Sequence, residues 1–271
     1  MDVHKLWEYK EYFCINGVML TTELVYELEN SLTLLQVENH FKTIQYWGKI
    51  YATENDYHIA VGFGKDALND KKYFYTTDFK LWSLLPKPKK KYKYLSLMIP
   101  LPFCGDPSRK MQILDESLEE SDPERYQSMK EENRLAATIS NICDEAEICA
   151  RGQIIKHPDL SVIINPHFYG LELAEAKRLK SYMHIRPAQH RWNTNLLTRP
   201  DYNYSMDFLD SIDMDIPKGC WNVSLEHSGN VVYLKNLYWP GVIFFHKIGT
   251  PDAGFLYAGN GYKNFDMPFL I

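Results

Sequence analysis

Cysteine is scarce in this chain of 271 residues: there are five, and none sits at a metal-type spacing. Cys14, Cys104, Cys143, Cys149 and Cys220 are an odd set without a C-x-x-C pair, the pattern of reduced thiols rather than of a disulfide framework. Long apolar runs are also missing. No stretch approaches the roughly 18 apolar residues of a membrane span. The opening MDVHKLWEYKEYF lacks the basic start and unbroken apolar run of a signal peptide, so neither a membrane nor export is expected. Positive charge is not in excess. The net charge of -5 argues against general nucleic-acid binding, which needs a basic surface to displace counterions.

Recognisable chemistry is absent too. The chain holds no G-x-x-x-x-G-K-[ST], no H-E-x-x-H and no G-x-S-x-G. Gly62-Phe-Gly64 and Gly259-Asn-Gly261 lack the third glycine and strand-to-helix setting of a dinucleotide loop, and read as turns or bulges. Nine histidines are scattered, with His167, His184 and His190 the nearest approach to a cluster; their spacing does not suit convergent metal ligands. Cys143 precedes Asp144 and Glu145, whose charges raise a thiol pKa, so a catalytic cysteine is not expected. Asp207, Asp210, Asp213 and Asp215 lack the glycine and terminal Glu of a calcium loop and read as the acidic face of a helix. No cofactor or metal is implied.

Aromatic residues are plentiful instead, with 19 Tyr, 13 Phe and 6 Trp. They concentrate in the last third, Met206–Ile271, beside Gly and Pro turn signals and alternating apolar positions. That third reads as an antiparallel meander: Trp221–His227 and Val231–Tyr238 around the connection Ser228-Gly229-Asn230, then Val242–Lys247 and Gly254–Ala258. Upstream, Thr21–Asn39 repeats Leu24, Leu28, Leu32 and Leu35 at helical spacing, with Thr21 or Thr22 as cap. Lys42–Tyr51, with Ile44, Tyr46 and Ile50 on one face, forms a hairpin with Tyr57–Phe63, and short strands follow at Tyr73–Thr76 and Phe79–Leu84. The basic run Lys87–Lys93 reads as a solvated linker, or alternatively as a patch for acidic partners. A helix is predicted from near Pro123, with Ser121 and Glu124 at capping-box spacing, to about Cys143 with Met129 on its apolar stripe. Strands at Glu147–Lys156 and Leu160–Ile164, a short helix over Glu172–Met183 and a loop over His190–Tyr204 complete the pattern. The class is α+β: a mixed, mainly antiparallel sheet, a few packed helices and the C-terminal β-meander. Residues 1–271 are expected to form one domain; the alternative division is two lobes, 20–86 and 123–271, joined by the polar loop 87–122.

Segments in order along the chain go beyond pattern: YWGKIYATENDYHIAVGF (Tyr46–Phe63), FCGDPS (Phe103–Ser108), EENRLAATI (Glu131–Ile139), RGQIIKHP (Arg151–Pro158), MDFLDSIDMDIPKGCW (Met206–Trp221), LYWPGVIFFH (Leu237–His246) and GFLYAGNGYKNFDMPFLI (Gly254–Ile271). From about Thr21 onward the chain resembles the radial spoke head protein 9 family of motile cilia and flagella. The resemblance implies a non-catalytic, structural subunit of the spoke head, set in the cytoplasm, the cytoskeleton and the axoneme of a cilium or flagellum. It implies pairing with the larger head subunits of the four/six type and other head proteins, and indirect contact with central-pair projections. It also implies a part in relaying mechanical signals to the dyneins, and brings no active site. Met1–Leu20 and Lys87–Lys93 have no counterpart in that pattern. The competing reading is a cytosolic enzyme with a divergent active site.

A scaffold needs anchors, and aromatic residues are the usual ones. Tyr238, Trp239, Phe269, Leu270 and Ile271 are the candidate partner-interface residues, with Trp221 beside them; for Trp221 and Trp239 a core position is the simpler reading.

Overall fold

The computed structural model describes residues 1–114, 126–189 and 200–269. After one 3-10 turn at Val3–Lys5 come helices α1 (Leu6–Cys14) and α2 (Thr22–Glu38). The Thr21 hydroxyl accepts the Leu24 N–H at 3.2 Å and caps α2, a contact worth about 1 kcal/mol. Val25, Leu28, Leu32 and Leu35 are the buried stripe of α2, each contributing about 1.5–3 kcal/mol when fully covered.

Strands β1 (Thr43–Ile50), β2 (Tyr57–Phe63), β3 (Lys72–Thr76) and β4 (Ser83–Leu84) follow, all paired antiparallel in sequence. The β1–β2 register shifts between Tyr46 and Gly48, so Trp47 is a bulge. The bulge overturns the expected face assignment. Ile44 and Tyr46 face α1 and α2, whereas Ile50 joins Trp47 on the opposite face, because one extra residue inverts the period of two. Gly48 is required there: at φ 145° it lies against the backbone of Tyr257, and a Cβ would stand 2.0 Å from the Tyr257 carbonyl oxygen. Gly62 is neither turn nor bulge. It lies inside β2 beneath the Phe41 ring, where a side chain would not fit.

The basic run does not stay a linker. Its second half opens helix α3 (Lys90–Met98), and Lys93 pairs with Asp144 at 2.7 Å. Strands β5 (Lys110–Leu114) and β6 (Tyr126–Lys130) form a separate hairpin, whose Met111, Ile113 and Met129 pack on Leu95 and Ile99 of the α3 region. Met129 therefore belongs to a strand, and helix α4 spans Glu131–Ala146 rather than starting near Pro123. Pairing with β5 overrides the local helical signal of residues 126–130. Ser121 and Glu124 lie outside the described residues.

The strand expected over Glu147–Lys156 is broken at Arg151-Gly152 into β7 (Ile148–Ala150) and β8 (Ile154–Lys156), the latter paired with β9 (Val162–Ile164). The helix expected over Glu172–Met183 shrinks to α5 (Leu173–Ala176). A 3-10 turn follows, and then β10 (Tyr182–His184), which pairs with β7. The loop expected over His190–Tyr204 falls mostly outside the described residues. The C-terminal meander forms as read: β11 (Trp221–Leu225), β12 (Val231–Asn236), β13 (Val242–Lys247) and β14 (Ala253–Gly259).

The main sheet has eight strands in the order β11-β12-β13-β14-β1-β2-β3-β4. It is antiparallel except at its centre, where β1 runs parallel to β14 and joins strands from the two ends of the chain. One face packs on α1 and α2 through Tyr46, Phe245, Leu256 and their neighbours. The other packs on α4 and the β7–β10 pair through Trp47, Tyr57, Phe244 and Tyr257. The architecture is thus α+β, with helices on both faces of a mixed sheet. No helix among the described residues is long and apolar enough to cross a membrane.

Candidate partner-binding surface

The segment after β12 is folded back by side-chain acceptors. Asn236 Oδ1 takes the amide protons of Tyr238 and Trp239, both at 2.8 Å, which turns the chain sharply at Tyr-Trp-Pro-Gly. This sends the Trp239 indole fully inside, where its Nε1–H donates to Glu145 of α4 at 2.7 Å. The second Glu145 oxygen accepts Lys263 Nζ at 2.7 Å, and that ammonium lies 4.3 Å from the centroid of the Tyr238 ring and 5.7 Å from that of Phe265. The result is a clamp: Lys263 ties the C-terminal segment to α4 through Glu145 and to the Tyr-Trp turn through the Tyr238 ring. Glu145 is 39% exposed, so the ion pair itself contributes on the order of 1 kcal/mol.

Residues named from sequence are therefore distributed unevenly. Trp221 and Trp239 are core residues, whereas Tyr238 is half-buried. Met267 is buried against the core, while Phe269 two positions on is 86% exposed. Leu270 and Ile271 lie outside the described residues. Next to the clamp, Val18, Tyr51, Leu237, Pro240, Ile243 and Met267 line an apolar groove of about 550 Å³. Lys263, Leu237 and Tyr51 escaped the sequence reading, because only the order of strands in the sheet brings residues 18, 51 and 237–267 together.

The four aspartates do not form an acidic helix face. Between Asp207 and Asp215 only Ile212–Met214 makes a single 3-10 turn, and each carboxylate is an anchor. Asp207 accepts two bonds from Arg151, at 2.6 and 2.8 Å, and Asp210 accepts Arg186 at 2.6 Å. Asp213 accepts the Ser211 hydroxyl at 2.5 Å. Asp215 bonds His184 at 2.8 Å and the Trp221 indole N–H at 2.7 Å. A polar cleft of about 440 Å³ lies between this loop and α4, and its titratable walls, Glu145, His184, Arg186, Asp215 and Lys263, are the partners just named, joined by Asp144, the partner of Lys93. Cys220 lines it as well, but burial and then the Asp215 charge push its thiol up to about 11. Burial likewise raises Cys149 to about 12 and Cys143 well above the ordinary range, away from thiolate reactivity. His167 is exposed and His190 lies outside the described residues. Among the described residues no three His, Cys, Asp or Glu groups converge as metal ligands.

A second anchor sits at the start of α4. Glu131 is fully buried and accepts the Tyr57 hydroxyl and the amides of Cys104 and Gly105, all at 2.9 Å. One turn on, the Arg134 guanidinium lies 4.1 Å from the Phe103 ring centroid and donates to the Leu101 carbonyl at 2.6 Å. So EENRLAATI holds FCGDPS, MDFLDSIDMD holds RGQIIKHP, and GYKNF holds α4. The segments that looked distinctive in sequence are the ones that bind each other.

No family model matches the chain. Proteins named "Radial spoke head protein 9 homolog" do, over the full length of both chains: 34% identical over 276 residues in Bos taurus, 34% over 277 in Danio rerio and 36% over 280 in Xenopus tropicalis. The chain belongs to the radial spoke head protein 9 family. The match includes the first twenty residues, where sequence reading found no counterpart. In the fold those residues supply Leu6, Tyr9 and Phe13, which pack under the sheet beside Phe245. The N-terminal segment of this radial spoke head protein 9 relative is part of the domain core.

Proposed function

We propose that this protein is a structural subunit of the axonemal radial spoke head in a motile cilium or flagellum. In this reading it acts as one unit, helps assemble the head with the larger subunits of the four/six type, and relays mechanical signals between central-pair projections and dyneins. The observation that carries it is the full-length likeness to radial spoke head protein 9 homologs. The site geometry supports it: the charged groups of the polar cleft hold the protein's own segments together, and a stiff scaffold depends on such internal ties. Within this reading the partner face is built on Tyr238 and Phe269, with Lys263 against the Tyr238 ring and Trp239 in the core next to it; Leu270 and Ile271, outside the described residues, complete the candidate set. A tagged copy should remain with demembranated axonemes and resist mild salt extraction. Recovery only in the soluble cell-body fraction would overturn the proposal.

A further inference from the structure

At the β4 edge of the sheet, far in sequence from the C-terminal clamp, lies a second hollow of about 240 Å³. Leu84 and Leu85 form one wall, Ala136 and Ile139 of α4 the floor, and Pro86 and Pro88 the rim. Proline fixes φ, so this rim is set before any ligand arrives. Three lysines line the hollow and no carboxylate does. Two of the three are committed: Lys71 pairs with Glu147 at 2.7 Å, and Lys72 lies 6.0 Å from the Phe41 ring centroid. Lys87, at the mouth, and Lys90, three residues on at the start of α3, are exposed and make no ion pair among the described residues. The α4 carboxylates are engaged elsewhere, Glu132 with the Tyr75 hydroxyl at 3.2 Å and Asp144 with Lys93 at 2.7 Å.

We propose that this hollow binds an acidic, extended segment of a partner protein, which inserts one apolar side chain between Leu85 and Ile139 and sets its carboxylates against Lys87 and Lys90. The charge of the rim selects the acidic partner, and the enclosed apolar volume demands the anchor. The inference goes beyond the scaffold reading and stands or falls separately from it.

The test is fluorescence anisotropy of the full chain with a labelled peptide of glutamates around one central phenylalanine, compared with the same peptide carrying glycine at the centre. The phenylalanine peptide should bind about tenfold more tightly or better, as expected for burying one aromatic side chain. The double variant Lys87→Glu/Lys90→Glu should abolish binding. Glutamate in the first turn favours a helix, so unfolding of α3 would not explain that loss. Ser140→Leu, at the half-exposed side of the hollow, should weaken the phenylalanine peptide and leave the glycine peptide unchanged. Equal affinity for the two peptides, or an effect of Ser140→Leu on neither, would reduce the site to nonspecific charge and overturn the proposal. Binding to anionic phosphatidylserine vesicles but not to the phenylalanine peptide would overturn it as well.

Discussion

His58 and His246 lie on opposite faces of the sheet region, and both are held neutral by their surroundings. Burial lowers each to about 4 from 6.5. His246 accepts the Leu171 N–H at Nε2 (2.9 Å), a role only the neutral ring can play. His58 shares a hydrogen bond with the Tyr46 hydroxyl at 2.9 Å and rests 4.3 Å from the Phe79 ring centroid. Because the folded pKa lies below the unfolded one, the unfolded chain binds more protons between pH 6.5 and about 4. Stability is therefore full above pH 6.5 and is lost as the pH falls through that window, by up to about 3 kcal/mol per histidine. Urea denaturation at pH 7.5, 6, 5 and 4 should show this slope, and His58→Gln should flatten part of it. The same slope in the variant would contradict the assignment. None of this was legible at the residue scale: sequence shows His58 alternating in a strand, but not that a bulge at Trp47 and a loop at Phe79 close over it.

Elements were more legible than their ends. The amphipathic repeat of α2 and the alternation of β12–β14 were readable because each buries one face against a continuous core. The start of α4 was not, because pairing of β6 with β5 and the bonds from the Cys104 and Gly105 amides to the Glu131 carboxylate decide it, and these partners lie outside the local window. The same holds for the loop of four aspartates. Composition suggested a solvated helix face, whereas two of the four, Asp207 and Asp210, are buried with arginines as partners. This loop yields a prediction about how its element is held. Asp207 is 0% and Arg151 9% exposed as side chains. Arg151→Met should cost about 3–5 kcal/mol, since it leaves the buried Asp207 charge without its cation and with only the Asn203 N–H at 2.8 Å. Adding Asp207→Leu to it should restore much of that loss, because the remaining penalty is packing rather than unpaired charge. Chemical denaturation of both single variants and the double variant would measure the coupling. Additive losses would show that the pair does not hold the loop.

For the whole molecule, the family was readable from motifs in order, while the surface was not, because the groove beside Tyr238 is assembled by the parallel β1–β14 junction, which joins strands some two hundred residues apart. Beyond this junction the C-terminal segment has two parts that differ in burial. Met267 is 2% exposed and belongs to the larger core cluster, and Asn264 N–H donates to the Tyr238 carbonyl at 2.8 Å. Phe269 is 86% exposed. Removing residues 269–271 should therefore leave circular dichroism and the unfolding midpoint nearly unchanged, yet weaken pull-down of the larger head subunit. Removing residues 267–271 empties the Met267 site and should cost about 2–5 kcal/mol, visible as a lower midpoint. If the shorter truncation unfolds the subunit, the terminal residues seal its own core. If neither truncation affects the pull-down, the partner face lies elsewhere on the sheet. Loss of pairing with retained folding places the seam where the aromatic-rich last third leaves the clamp.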